Sequence, residues 1–366
     1  MSEALRGLAP TLDALVDDGA LVGWVAGVQG PAGVEVAVGG RRRVDGPPME
    51  PQTLFSIASC SKPVGGLLAL RLVEEGVLTP DDPVERWLPE LAGLRVLARP
   101  DADLGDTVPA ERPITVRHLL TMTPGFGWVS DGPLAVAMHD VGVAPGPFPP
   151  PMGPDEFMDR LASLPLANQP GSTWRYHTSS DVLGVLLARA TGTSLGNLLQ
   201  EHVCDPLGLV DTGFTGDPDR MAGVHTVALA GGLVALPLPE GTFTTPPQFE
   251  SLATGLVATV PDQLAVLASL VGTGPTLLSR ESREQMRRPH ITADQRSATA
   301  GLLDPDTGWG LHVETRPDGR IGWAGGLGTI GYADPATGRA AFLATQVTVD
   351  APGTVAAFDA FWPLLG

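Results

Sequence analysis

The stretch FSIASCSKP, residues 55–63, contains a serine and a lysine whose spacing is the main indication of the fold and chemistry of this chain. Ser59 and Lys62 are three positions apart, and on a helix this places both side chains on one face, within hydrogen-bonding reach. Lys62 is the only lysine in the chain, and the stretch has apolar flanks. A solvated lysine beside an N-capping serine would not need such surroundings. The pattern therefore predicts a helix over 59–76 that buries the amine beside the hydroxyl.

This pairing indicates nucleophilic catalysis. A serine hydroxyl is a weak nucleophile until a neighbouring base takes its proton. A lysine can be that base only if its pKa falls, which burial and the positive end of a helix both promote. We therefore expect Ser59 to be the nucleophile and Lys62 to handle its proton. The backbone amide of Ser59, in the first turn, is expected to be a free donor.

The composition excludes several classes of partner. The 366 residues include 41 acidic and 23 basic side chains, a formal net charge of -18 at pH 7. This charge repels phosphate backbones and anionic membrane surfaces, so we expect neither nucleic acid nor a membrane as partner. No apolar run reaches the ~18 residues of a membrane span, and the first residues lack the basic start of a secretory signal. Cys60 and Cys204 are too few for a disulfide framework. A cytoplasmic protein is expected.

The hydrophobic patterns predict strands near both ends of the chain and helices between them. The proline-rich segment 145–154 is either a stiff surface connection or a wall over a substrate cleft. Strands at both ends favour one antiparallel sheet in an α+β architecture. Besides the helix over 59–76, the predicted helices are 2–18, 115–122, 154–165, 179–191, 261–272 and 352–365, and the predicted strands are 22–30, 33–40, 308–314, 319–324, 328–333 and 339–348.

Several segments resemble, in the correct order, motifs of the serine β-lactamase/penicillin-binding-protein-like superfamily. The resemblance covers about residues 20–350 and favours the class C β-lactamase-like esterase branch. The segments are FSIASCSKP (55–63), TVRHLLTMTPG (115–125), PGSTWRYHT (170–178), DPLGL (205–209), DTGF (211–214), GWGL (308–311) and GWAGG (322–326).

The resemblance implies the β-lactamase/DD-peptidase-like fold, in which an antiparallel sheet built from both chain ends is flanked by helices. It predicts a single catalytic domain over 1–366. Its α/β part spans about 1–75 and 255–366, and its inserted, mainly helical part spans about 76–254.

The resemblance also assigns roles in the site. Tyr176 becomes the second proton handler, hydrogen-bonded to Lys62, and either a tyrosinate or a neutral lysine can remove the serine proton. The amides of Ser59 and Gly326 would form the oxyanion hole. The substrate-binding residues that it implies are Thr178, Trp323, Ala324 and Gly325.

Two departures from the family pattern bear on the substrate. Trp323-Ala324 stands where β-lactamases and DD-peptidases have Lys-Thr, whose cation and hydroxyl bind the substrate carboxylate. Losing such charge-assisted bonds costs about 1.5–3 kcal/mol each, and Arg320 would compensate only if it pointed into the cleft. Thr178 stands where an asparagine usually binds an acylamino group. Both departures favour carboxylic esters.

The sequence thus predicts an enzyme that hydrolyses small-molecule esters or acyl donors through an acyl-enzyme. An acyltransferase with the same acyl-enzyme is the first alternative, and a β-lactamase or D-amino-acid peptidase is the next. A non-catalytic binding protein that kept the fold is the alternative from another class. The seven histidines show no metal-ligand spacing, so we expect neither a metal nor a cofactor, and we expect His118 to be structural.

Overall fold

A computed structural model describes residues 2–296 and 301–366. The helices are α1 Glu3–Asp17, α2 Ser61–Glu74, α3 Val116–Leu120, α4 Gly132–Asp140, α5 Pro154–Ala162, α6 Thr178–Thr191, α7 Leu195–Leu199, α8 Asp205–Leu207, α9 Val260–Val271, α10 Arg280–Arg287, α11 Ala293–Arg296 and α12 Pro352–Asp359. Short 3-10 turns occupy Ala58–Cys60, Val84–Arg86, Pro89–Leu91 and Trp362–Leu364, and a short π-helix occupies Gln200–Cys204.

In the part of the chain that the structure describes, the strands form one large antiparallel sheet and three small pairs. The strands are β1 Gly23–Gly30, β2 Gly33–Gly40, β3 Phe55–Ser56, β4 Arg95–Leu97, β5 Thr107–Pro109, β6 His225–Val227, β7 Leu233–Ala235, β8 Val257–Ala258, β9 Gly308–Trp309, β10 Glu314–Thr315, β11 Ile321–Gly325, β12 Thr329–Asp334 and β13 Arg339–Ala344. In the described residues the large sheet has the order β2-β1-β13-β12-β11-β10-β9. Val25 of β1 pairs with Ala344 of β13, so the two chain ends meet within the sheet, as predicted.

Alternation along the strands gives the sheet two apolar faces. Trp24 and Ala26 belong to a cluster with Leu5, Leu8 and Leu12 of α1 and with the C-terminal segment. Val25 belongs instead to the main core, on the face that α9 covers. At Gly27 a Cβ would lie 2.8 Å from Leu264, so the glycine lets α9 pack close to the strand.

The main core continues from the sheet into the region between β3 and β8, where most of the shorter helices lie. Helix α2 is buried along most of its length and joins the two regions. Among the described residues, no single helix is long and apolar enough to cross a membrane; α6 and the helical segment Leu195–Leu207 reach that length and composition only as a pair bent by 87°. The boundaries expected for an α/β part and a mainly helical part stay a prediction.

The element boundaries differ from the predictions where special backbone is needed. The helix predicted over 59–76 begins with the 3-10 turn Ala58–Cys60 and continues as α2. The single strand predicted over 308–314 is wrong: β9 and β10 pair with each other, and the turn between them places His312 at φ +65°. The helix predicted over 352–365 ends at Asp359, and Trp362–Leu364 forms a separate turn.

Candidate active site

The turn before α2 positions Ser59. Ala58 has φ +46°, in the left-handed region that costs a non-glycine residue about 1–3 kcal/mol. The amide of Ile57 donates to the Leu256 carbonyl at 3.0 Å, which ties the turn to the segment that leads into β8. Ser59 is 8% exposed. A strained backbone therefore presents the hydroxyl at the edge of a buried region.

Lys62 lies one turn further on, with its amine inside the protein. The side chain is 0% exposed, and Nζ donates to Ser59 Oγ at 3.1 Å and to the Ala253 carbonyl at 2.8 Å. Burial lowers the pKa of Lys62 from 10.5 to about 7, against the opposing charge of Asp181. An amine with this pKa is partly neutral at pH 7 and can accept a proton.

Tyr176 lies two residues before the start of α6. Its ring packs 5.5 Å from that of Trp323 and 5.6 Å from that of Trp174, measured between ring centroids. Lys62 Nζ lies 4.5 Å from the centroid of the phenol ring, so the lysine contacts the ring face. Burial raises the pKa of the Tyr176 phenol, although hydrogen bonds with Ser59 and Trp323 lower it in part. At neutral pH the phenol therefore holds its proton.

The hydrogen bond expected between phenol and lysine is replaced by this contact with the ring. The Trp323 indole N–H donates to the Tyr176 hydroxyl instead. The next residue, His177, has φ +87°, and the amide of Trp128 holds the Tyr176 carbonyl at 2.9 Å. The backbone and an indole thus fix the phenol in place.

Strand β11 passes directly beside the nucleophile turn. The Cys60 thiol donates to the Trp323 carbonyl at 3.5 Å, and Thr329 Oγ1 donates to the Ile57 carbonyl at 2.9 Å. A Cβ on Gly325 would lie 2.2 Å from Thr329 Oγ1 and 2.6 Å from the Ile57 carbonyl oxygen. Gly325 was expected to contact substrate. Packing also requires a glycine at this position, because only a glycine lets the strand approach the turn this closely.

Replacing Gly325 by alanine is expected to lower the free energy of unfolding by about 1–3 kcal/mol, since the added methyl would overpack the contact with the turn. Thermal and denaturant unfolding would measure the loss. Gly326→Ala is the matched control, because a Cβ there has nothing within 4 Å. Equal stability of the two variants would contradict this account of the contact.

The remaining predicted substrate residues lie in different surroundings. The Thr178 hydroxyl is buried and has no hydrogen-bond partner among the described residues, so it does not bind Lys62. The Ala324 methyl packs with the α1 cluster, so that side chain points away from Trp323. Arg320 donates to the carbonyl of Gly366 at 2.6 Å, which directs it to the C-terminus and rules out the compensating role considered for it.

The proline-rich segment lies against the start of α6. A cavity of about 70 Å³ separates the two, and its lining includes Pro145, Phe148, His177, Thr178 and Asp181. This placement favours a wall beside the site over a remote surface connection.

Other reactive residues prove structural. Burial raises the pKa of the Cys60 thiol to about 12, so it stays neutral beside the nucleophile. His118 Nδ1 accepts from the Thr115 amide and completes a capping box, as a structural histidine should. Within residues 2–296 and 301–366 no group of three or more His, Cys, Asp or Glu side chains could hold a metal ion.

Sequence reasoning missed the groups that surround the lysine from distant segments. The Ala253 carbonyl that accepts from Lys62 left no signal, because any residue supplies a carbonyl. Asp181, in the first turn of α6, accepts from Ser251 Oγ at 2.6 Å and from the Ala253 amide at 3.3 Å. An acidic residue within an apolar helix was the available signal.

Comparison with known proteins identifies the family of the chain. The family model described as Beta-lactamase matches residues 8–360. Esterase EstB of Burkholderia gladioli is 33% identical over 393 residues, which cover 97% of this chain and 95% of that esterase. Monacolin J acid methylbutanoyltransferase of Aspergillus terreus is 37% identical over 172 residues, 46% of this chain and 40% of that protein.

The solved structures agree in fold. EstCE1, described as a hydrolase with promiscuous acyltransferase activity, superposes with a TM-score of 0.84 at 24% identity, over 99% of this chain and 98% of that chain. Simvastatin synthase from Aspergillus terreus (LovD6 mutant) superposes with a TM-score of 0.82 at 24% identity, over 100% of this chain and 97% of that chain. The resemblance and the fold predicted from the sequence are confirmed, and the chain belongs to the beta-lactamase family, as a serine hydrolase.

Proposed function

We propose that this protein hydrolyses small-molecule carboxylic esters through an acyl-enzyme on Ser59. The observation that carries the proposal is the buried amine of Lys62, 3.1 Å from the serine oxygen, with its pKa lowered to about 7. A water-stripped amine beside a hydroxyl is the arrangement that activates a serine. The identity with esterase EstB supports ester chemistry.

In the acylation step, Lys62 and Tyr176 each carry out one proton transfer. The Ser59 oxygen attacks the ester carbonyl carbon while its proton passes to the neutral Lys62 amine. When the bond from carbon to the alcohol oxygen breaks, the Tyr176 phenol gives its proton to the departing alkoxide. The resulting tyrosinate is stabilised by the ammonium over its ring, 4.5 Å from the centroid. Of the two bases considered for the serine proton, the opposite pKa shifts favour the lysine.

Deacylation runs the same transfers in reverse. Water attacks the acyl carbon and gives a proton to the tyrosinate, and the Ser59 oxygen leaves with the proton held by Lys62. The net reaction is ester plus water to acid plus alcohol. The amides of Ser59 and Gly326 are proposed to bind the oxyanion in both halves, because β11 ends beside the nucleophile turn.

The side chains around the site favour uncharged esters over β-lactams. Trp323 uses its indole N–H on Tyr176, and Arg320 bonds the C-terminal residue. Neither supplies a cation for a carboxylate beside the scissile bond. Thr178 and Trp323 are proposed as the side chains that contact the substrate, together with the backbone of Ala324 and Gly325.

The substrate class is tested by comparing p-nitrophenyl butyrate with nitrocefin under the same conditions. We expect kcat/KM for the ester to exceed that for the β-lactam by about 10²-fold, the effect of one missing charge-assisted contact. Ser59→Ala sets the background for both reactions. Equal or faster nitrocefin turnover would contradict the ester assignment.

Acyl transfer is the second candidate, supported by the methylbutanoyltransferase among the relatives. An alcohol would then take the place of water and give its proton to the tyrosinate. The partition between acid and ester products with added alcohols would separate the two activities. The cytoplasmic location stays a prediction.

A further inference from the structure

A buried polar network lies beneath the lysine and takes no part in the steps above. Asp181 Oδ1 accepts from Ser251 Oγ at 2.6 Å and from the Ala253 amide at 3.3 Å. The carbonyl of that same Ala253 accepts from Lys62 Nζ at 2.8 Å. Asp181 is 2% exposed and Ser251 is 0% exposed. The Asp181 carboxylate thus holds the segment whose carbonyl accepts a hydrogen bond from the Lys62 amine.

The segment is a tight turn that depends on these bonds. Ser251 Oγ also accepts from the amides of Ala253 and Thr254, at 3.2 and 3.1 Å. Asp181 in turn sits in the first turn of α6, five residues after Tyr176. The carboxylate therefore links the first turn of α6 to the turn whose carbonyl accepts from Lys62.

Charge gives Asp181 a second role. The titratable groups that face Lys62 are Cys60, Tyr176, His177, Asp181 and His312. Burial keeps the thiol and the phenol neutral at pH 7. Burial also lowers the pKa of His312 to about 4 and that of His177 well below its usual value, so both imidazoles are neutral. Burial raises the pKa of Asp181 to about 6, which leaves it ionised at pH 7. Among these groups Asp181 alone balances the ammonium.

We propose that Asp181 is a positioning residue for Lys62: its carboxylate fixes the turn that presents the Ala253 carbonyl to the amine, and its negative charge balances the ammonium that forms when Ser59 loses its proton. The inference rests on the proposed function, since it needs Lys62 as the base. An uncompensated ammonium in a buried site is costly, so a nearby anion lowers the barrier to acylation.

The test is Asp181→Asn, because an asparagine oxygen can still accept from Ser251 and Ala253 while the charge is gone. Lysine labelled with ¹³C at Cε gives one signal in this protein, since Lys62 is the only lysine. We expect the midpoint of its titration to fall by at least about 0.5 pH unit, because an anion favours the charged amine. The acid limb of kcat/KM should move to lower pH by the same amount, and the plateau should fall about tenfold.

Ser251→Ala is the second variant, and it also serves if Asp181→Asn does not fold. It removes a hydrogen bond that lowers the pKa of Asp181. The carboxylate then protonates at higher pH, and the lysine midpoint should fall by a smaller amount. If neither variant moves the lysine signal or the acid limb, the inference is overturned. Full activity of Ser59→Ala would instead remove the proposed function, so the two failures are distinguishable.

Discussion

Replacing Lys62 by methionine is expected to lower kcat/KM for p-nitrophenyl butyrate by about 10³-fold while leaving the fold intact. The variant keeps a long, buried side chain but cannot accept the Ser59 proton. Lys62→Arg keeps a cation that does not lose its proton, and it should be equally inactive. Recovery of activity by the arginine variant would contradict the role of the lysine as a base.

Replacing Lys62 by methionine is also expected to change how the free energy of unfolding depends on pH. The folded pKa of Lys62 is about 7, below the ordinary value of 10.5, so between these values the unfolded chain binds the extra proton. The free energy of unfolding should therefore rise with pH over this window, by at most about 1.4 kcal/mol per pH unit. Lys62→Met should lose this contribution. Unfolding at pH 6 and pH 9 measures it, and an unchanged difference between the two pH values would count against a buried neutral amine.

Replacing Tyr176 by phenylalanine is expected to lower kcat by about 10²–10³-fold, because the departing alkoxide loses its proton donor. The ring would still pack between Trp174 and Trp323. The Trp323 indole N–H would lose its acceptor, at a cost of about 1–3 kcal/mol in stability. Steady-state kinetics and thermal unfolding would measure the two effects.

Trp323→Phe is the matched control for this prediction. It keeps the phenol but removes a hydrogen bond that lowers the phenol pKa, so the phenol becomes a weaker acid. We expect a fall of about tenfold, smaller than that of Tyr176→Phe. A larger effect from the tryptophan than from the tyrosine would contradict the assignment of the phenol as the main proton donor.

The sheet was predictable because its strands show alternating hydrophobic patterns in the sequence and lie near both chain ends. Trp24 and Val25 point to opposite faces, as the period of a strand requires. The irregular elements were not predictable. The break between β9 and β10 depends on a positive φ at His312, a conformation that only a few per cent of non-glycine residues adopt.

In the site, too, some features were predictable from the sequence and others were not. Ser59, Lys62 and the approach of β11 to the nucleophile turn were expected, because the family motifs bring these residues with them. The contact of Lys62 with the ring face of Tyr176 was not expected, since a motif specifies neighbours and leaves their orientation open. The network of Asp181 and Ser251 joins residues 70 positions apart, and only the folded chain reveals it.

The ionisation state of Lys62 in the resting protein is the quantity on which the mechanism depends, and one signal reports it. Wild-type protein labelled with ¹³C at the lysine Cε would be titrated from pH 5 to 11 and followed by NMR. We expect the single lysine resonance to titrate near pH 7, as burial lowers its pKa to about 7. A midpoint near 10.5, the value of a solvated lysine, would contradict the assignment of Lys62 as the base that activates Ser59.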